Sequence, residues 1–523
     1  MKSISARRHL TRATLAAVTA FALLAACGGS NGGGQGDASD GGKPTAGGTL
    51  DLITTTDGLN LDPAKTPGTA ANTGTLILPI FDTLVRVNVD GEIVPRIATS
   101  IESDDQKTWT ITLRDGVTFS DGTAYDAEAL KFNWERAQEP TSTTTANDAK
   151  TITSMTVVNP TTLEVTLAAP SSTFPNLLQG PLGMIGSPTA IKKLGDEYSV
   201  SPVGAGPFTI EKRVSGSLYG YKKNPTFWDK DRPYADALNI KIITQTQQAE
   251  AAFKSGEADM LIIGEPLVQR NLEQAGYKAL VPDAFGGYIY AFNNSSQPTS
   301  DVRVRKAITM AVDPEDASTK ATQGAAKPMY TLFPKDSPFY TSEYPWPFKG
   351  DIAEAQKLID SYVAENGPIT INWDSVDFDR PWADAIAEQV ESKLDDIEIN
   401  VSNVSFQKSL DNVYSDQFAL VLNSFQGFNP TPTFNNRLLC DSGGNNANYC
   451  NPEVDRLLKQ ASESSSQDER VDLYRQVQKI LAEDVPFFPQ SGRTMQLFTN
   501  DSVQGAEIFA DGYIAYEAPW VKE

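Results

Sequence analysis

Histidine is nearly missing from this chain. The single histidine among 523 residues is His9, inside a segment read below as removable. The remainder therefore excludes Ser-His-Asp and Cys-His catalysis and any histidine-ligated metal. Cysteine is scarce as well, with only Cys27, Cys440 and Cys450. No Gly-x-x-x-x-Gly-Lys-Ser/Thr run occurs, so no P-loop draws work from ATP. One Ser-x-x-Lys match, Ser405 to Lys408, lacks its companion Ser-Asp-Asn and Lys-Thr-Gly motifs and reads as chance. Positive charge is also short: 44 Lys and Arg stand against 66 Asp and Glu, a net charge of −22. So acidic a chain disfavours nucleic acid and anionic lipid as partners. No catalytic residue, metal site or cofactor is nominated.

What is present begins with a targeting segment over residues 1–27. Arg7, Arg8 and Arg12 make a basic start, and Leu15 to Ala26 an apolar stretch too short to span a bilayer. Leu24-Ala25-Ala26-Cys27 resembles a bacterial lipobox, which implies cleavage before Cys27 and acylation of its thiol. Residues 28–46, rich in Gly, Ser and Asp, read as a flexible tether. A tethered body outside the membrane lies in an oxidising compartment, which suits a Cys440–Cys450 disulfide. Closing so short a loop contributes about 3 kcal/mol in the chain-entropy treatment.

The length calls for two to four domains. Thr49 to Thr54 reads as a strand, and Trp109, Ile111 and Leu113 alternate with threonines as a half-buried one. Asp126 suits a helix N-cap, and Asn451 caps a helix opened by Pro452. Tyr288 to Phe292 reads as a strand, as does the apolar run Phe418 to Leu422. Ser424 to Asn436, rich in Asn, Pro, Gly and Thr, reads as a long ordered loop. Strands and helices mix throughout, so the class is α/β or α+β with several lobes.

Several runs in order then carry a resemblance. They are Leu61-Asp62-Pro63; Pro95 to Ala137 (PRIATSIESDDQKTWTITLRDGVTFSDGTAYDAEALKFNWERA); Pro202 to Phe208 (PVGAGPF); Asn224-Pro225 with Trp228; Ser255 to Asp259; Asp301 to Ala307; and Asn451 to Asp455. Together they resemble family 5 solute-binding proteins of bacterial ABC importers, the peptide, nickel and oligopeptide type. The resemblance implies a two-lobed, periplasmic-binding-protein-like α/β fold that closes over a ligand without catalysing anything. It places lobe I at 47–282 with an inserted subdomain at about 81–196, lobe II at 283–490, and a return to lobe I at 491–523. It implies a monomer that delivers its ligand to permease subunits with separate ATPase subunits. Peptides are the expected ligand. An oligosaccharide, opine or metal chelate is the alternative, ahead of a sensory lipoprotein or a carboxylate-based hydrolase.

The same resemblance nominates the ligand-contacting residues. Gly68 and Thr69 would present backbone from lobe I. Gly287 and Ile289 fall on a strand where family tyrosines line the cleft, and Phe406 where a pocket tryptophan stands. Ser424, Phe425 and Phe428 would line lobe II, and Arg380 could hold a carboxylate. Gly427 falls where the oligopeptide receptor carries the aspartate that pairs with the peptide amine. Val413 and Val421 replace arginines that hold peptide C-termini. Asp374, Asp377 and Asp379 are the acids nearest by position to replace the lost anchor.

Overall fold

In the computed structural model the described residues are 43–58, 60–65, 74–88, 92–139, 144–282, 285–427, 429–492, 495–510 and 512–522, without the side chains of Phe406 and Gln426. The segment around Cys27, together with Gly68, Thr69 and Phe428, lies outside them.

The first lobe is organised on a seven-stranded mixed sheet. Its order runs Lys278–Leu280, Gln496–Thr499, Met260–Ile263, Thr49–Thr54, Ala237–Ile242, Leu218–Lys223, Phe208–Val214. The Thr49–Thr54 strand lies parallel to both its neighbours. Its pleat sends Leu50 and Leu52 to one core with Tyr219, Tyr221 and Tyr516, and Ile53 to another with Phe253 and Leu272. From Leu52 to Thr54 the strand is buried on both faces, as suits a strand with parallel neighbours on either side.

A four-stranded antiparallel sheet forms a separate body within the same stretch of chain: Ala98–Glu102, Thr108–Leu113, Thr162–Leu167, Ile152–Asn159. The expected alternation holds, with Trp109, Ile111 and Leu113 facing a core that includes Trp134 and Phe174. Asp126 caps the Ala127–Ala137 helix by accepting from the Ala129 amide at 2.9 Å, an interaction worth about 1 kcal/mol. Two glycines of the Pro202–Phe208 run let it lie directly on the main chain of Ile80. A Cβ on Gly206 would stand 2.5 Å from the Ile80 carbonyl carbon.

The second lobe has one large core built round the antiparallel sheet Leu420–Gly427, Phe285–Phe292, Phe487–Gly492. A parallel pair, Ile369–Ser375 with Ile397–Asn403, packs beside it. The Cys440–Cys450 disulfide forms, with Cα atoms 4.6 Å apart. One expectation fails here. Ser424 to Asn436 is not a loop: the strand runs on to Gly427, and Pro430–Leu438 is a helix. Asn429 caps that helix by accepting from the Thr431 amide at 3.0 Å, and Pro430 opens it. Composition suggested a loop because Asn, Pro and Thr also serve as helix-start residues.

Two neighbouring strands pass between the lobes. Lys278–Leu280 pairs with Gln496–Thr499 in the first lobe, and their continuations, Phe285–Phe292 and Phe487–Gly492, pair in the second. The lobes also touch away from these crossings. Ser172 donates from its amide to the Ser462 carbonyl (3.2 Å) and from Oγ to the Ser464 carbonyl (2.9 Å). Arg270 Nη1 donates to the Gln323 carbonyl at 2.9 Å.

Candidate binding cleft

The crossing strands bring several nominated residues together. In the antiparallel register Gly287 faces Phe425, Tyr288 faces Ser424, and Phe285 faces Gly427. The pleat then decides which side chains reach solvent. Phe425 is fully buried against Phe434 and Phe487, with ring centroids 4.8 and 5.4 Å away. Ile289 is 2% exposed in the same core. Both were expected to line the cleft. Their side chains instead fill the core, because alternate residues of a strand point to opposite faces. Ser424 and Tyr288 are half-buried on the other face, and the exposed Phe378 ring lies 6.4 Å from that of Tyr288. Neither aromatic was nominated. The period-two pattern from the buried Phe285 would have singled out Tyr288.

Gly427 closes its strand with little room around it. A Cβ there would stand 2.7 Å from Thr433 Oγ1, a side chain of the following helix. An acid at this position would need Thr433 to move, so Gly427 and Thr433 fit each other and leave no carboxylate at this point. Val413 and Val421, at the expected arginine positions, are 9% and 8% exposed and belong to the core.

The three acids each have partners. Asp374 accepts from Asn412 Nδ2 at 2.6 Å, and Asp377 from Asn403 Nδ2 at 2.5 Å. Asp379 is sealed beneath the sheet, accepting from Tyr290 Oη (2.6 Å), Gln490 Nε2 (3.1 Å) and Ser375 Oγ (3.2 Å). Burial pushes its carboxyl up to about 6, against the pull of these three neutral donors. Arg380 opens the next helix and pairs through Nε with Asp384 at 2.7 Å. Phe406 begins the Phe406–Tyr414 helix, capped by Ser405, which accepts from the Lys408 amide. That bond uses the Lys408 backbone and not its side chain.

Residues 92–447 match the profile of bacterial extracellular solute-binding proteins, family 5. The chain belongs to this family. Its members bind solutes rather than transform them. Among curated relatives, the chain is similar to the periplasmic murein peptide-binding protein MppA of Escherichia coli, 27% identical over 82% of this chain and 85% of the relative. It is also similar to the oligopeptide-binding protein OppA of Bacillus subtilis, 27% identical over 96% of this chain and 97% of the relative. Among solved structures, the murein tripeptide binding protein MppA superposes with a TM-score of 0.78 at 24% identity, covering 90% of this chain and 98% of that one. The binding protein AgaA from A. tumefaciens, solved with agropinic acid, gives 0.80 at 22% identity, covering 91% and 99%. The two-lobed binding-protein fold expected from the sequence is the fold observed.

Proposed function

We propose that this protein captures peptides between its lobes and delivers them to the permease of an ABC importer, held at the membrane by lipid on Cys27. The observation that carries the reading is the pair of adjacent strands crossing between the sheets. Such a crossing lets two rigid cores rotate about a few residues while each core stays packed. The relatives named for murein peptides and oligopeptides support the substrate class. In this reading the lobes are limited near residues 282 and 491, which the crossings support, and the four-stranded sheet supports an inserted subdomain. The cleft contacts proposed are the Gly287–Tyr288 backbone, Ser424 and Gly427 from the second lobe, Gly68 and Thr69 from the first, and Phe406, Phe428 and Arg380.

The filled space at Gly427 sets the selectivity. A buried ammonium without a counter-charge costs several kcal/mol, so capture here does not depend on a free peptide amine at that point. Thermal-shift titration against a mixed set of di- to pentapeptides tests the reading. A peptide present at about one hundred times its Kd should add roughly 2.7 kcal/mol of stability. N-acetylated peptides should bind within about threefold of their free-amine forms, a difference under 1 kcal/mol. Stabilisation by an opine or oligosaccharide and by no peptide would overturn the substrate class. For the anchor, labelled fatty acid should enter the wild-type protein and not a Cys27→Ala variant.

A further inference from the structure

A cavity of about 560 Å³ opens between the Arg114–Thr118 turn of the four-stranded sheet body and the Pro225–Lys230 turn of the first lobe. None of the strands that cross between the lobes contributes to it. Its walls carry two cations, Arg114 and Lys230. Arg114 is half-buried and held at two points: Nε donates to the Arg96 carbonyl at 2.6 Å, and the guanidinium lies 4.3 Å over the Trp228 ring. Trp228 is itself fixed, donating from Nε1 to Asp82 Oδ2 at 2.8 Å. Among the described residues Arg114 has no carboxylate partner, and its two terminal nitrogens have no acceptor. Lys230 on the opposite turn donates, among the described residues, only to the Phe227 carbonyl, at 2.9 Å.

The neighbouring buried acids are taken: Asp82 and Glu517 both pair with Arg96. Asp115 also lines the cavity and is exposed, as Lys230 is, so the wall carries one carboxylate beside the two cations. Thr118 and Thr226 add hydroxyls to the wall. A guanidinium fixed through Nε and one face presents its Nη1 and Nη2 hydrogens end-on, a geometry suited to two oxygens of one acidic group. Because it is already oriented, little side-chain freedom is lost on binding.

We propose that this cavity is a second ligand site, separate from the peptide cleft, for a compact anion with two or more negative charges. The candidates are a small polycarboxylate and a phosphate. Arg114 would take one acidic group and Lys230 the other charge, with the threonine hydroxyls as neutral donors. The acidity of the whole chain opposes the ligand at long range, so affinity is set by these local contacts and weakens with salt.

Calorimetric titration of the purified, peptide-free protein tests this, with citrate and inorganic phosphate in separate arms at constant low ionic strength. One-to-one saturation with a Kd on the order of 0.1–1 mM is expected in at least one arm. Citrate alone would assign the carboxylate class and phosphate alone the phosphate class, and either supports the site. Arg114→Gln should weaken binding about tenfold or more, the scale of one charge-assisted hydrogen bond, and Lys230→Gln about threefold, the scale of an exposed ion pair. If Arg114→Gln does not fold, the exposed Lys230→Gln variant decides. No saturation by either anion up to roughly 20 mM, well past the expected Kd, overturns the proposal. So does binding unchanged in Lys230→Gln.

Discussion

Asp82 in the first lobe and Asp379 in the second are each only 2% exposed, yet they are kept in opposite ways. Asp82 sits among cations. Arg96 reaches it with Nε at 3.2 Å and Nη2 at 3.0 Å, Arg86 with Nη2 at 3.4 Å, and Trp228 adds a neutral donor. Burial by itself would raise its carboxyl, but the Arg96 and Arg86 charges hold it below the ordinary carboxylate range. Arg96 also pairs with Glu517 at 2.6 Å, which ties the C-terminal return to this network. Among the described residues Asp379 has only a phenol, an amide and a hydroxyl, so burial wins and its carboxyl rises to about 6. Enough charge makes a buried carboxylate indifferent to neutral pH, whereas neutral donors alone leave it able to titrate.

The signs therefore differ. A depressed carboxyl contributes stability above its unfolded value near 3.8, and that stability is lost as pH falls further. A raised carboxyl does the reverse. The folded second lobe holds the Asp379 proton more tightly than the unfolded chain, so stability should fall as pH rises from about 4 to about 6.

Breaking the first arrangement should have the largest effect. Arg96→Ala leaves Asp82 and Glu517 buried without that guanidinium and should cost roughly 3–5 kcal/mol in urea unfolding at pH 7. A loss below about 1 kcal/mol, the scale of a surface pair, would show that Arg86 suffices. Next, Asp379→Asn should flatten the stability profile between pH 4 and 6. The slope it removes amounts to roughly 3 kcal/mol over two pK units. A profile as steep as wild type would place the titration elsewhere. Tyr290→Phe removes the shortest donor to Asp379 and should cost about 1.5–3 kcal/mol above pH 6 and less below pH 4. Equal losses at both ends would mean that the hydroxyl acts through Gln490, whose Nε2 donates to it at 2.7 Å, rather than on the carboxylate. The smallest effect belongs where the lobes meet. Ser172→Ala keeps the amide contact and loses the hydroxyl one. Stability should change by under about 1 kcal/mol, while bound peptide should leave up to about fivefold faster. An unchanged dissociation rate would mean that the contact plays no part in holding the lobes closed.

Much of this architecture can be read in the residues. Asp126 and Asn451 cap helices as their positions suggest, since a cap needs only a polar side chain and the amides two or three residues on. The Thr108–Leu113 strand announces itself because one face is buried and the other is not. The Asn429-Pro430 helix start was legible in the same way, but was masked by a composition that also suits loops. The cleft was harder to read. Ser424 and Phe425 are neighbours in sequence, and only pairing with Phe285–Phe292 sends one towards solvent and the other against Phe434. Likewise nothing in Asp374, Asp377 and Asp379 as letters tells which one is buried.

The sequence alone determined the absence of histidine chemistry, the order of the family's runs, the caps and the lack of an acid at residue 427. These are local properties, carried by composition and by contacts a few residues apart. Only the tertiary structure decided that Thr433 fills the space beside Gly427 and that, among the described residues, Asp82 meets arginines while Asp379 meets none and Arg114 lies on Trp228 without a carboxylate. Each joins residues from different elements, and charge, burial and space at such meetings depend on how the elements pack.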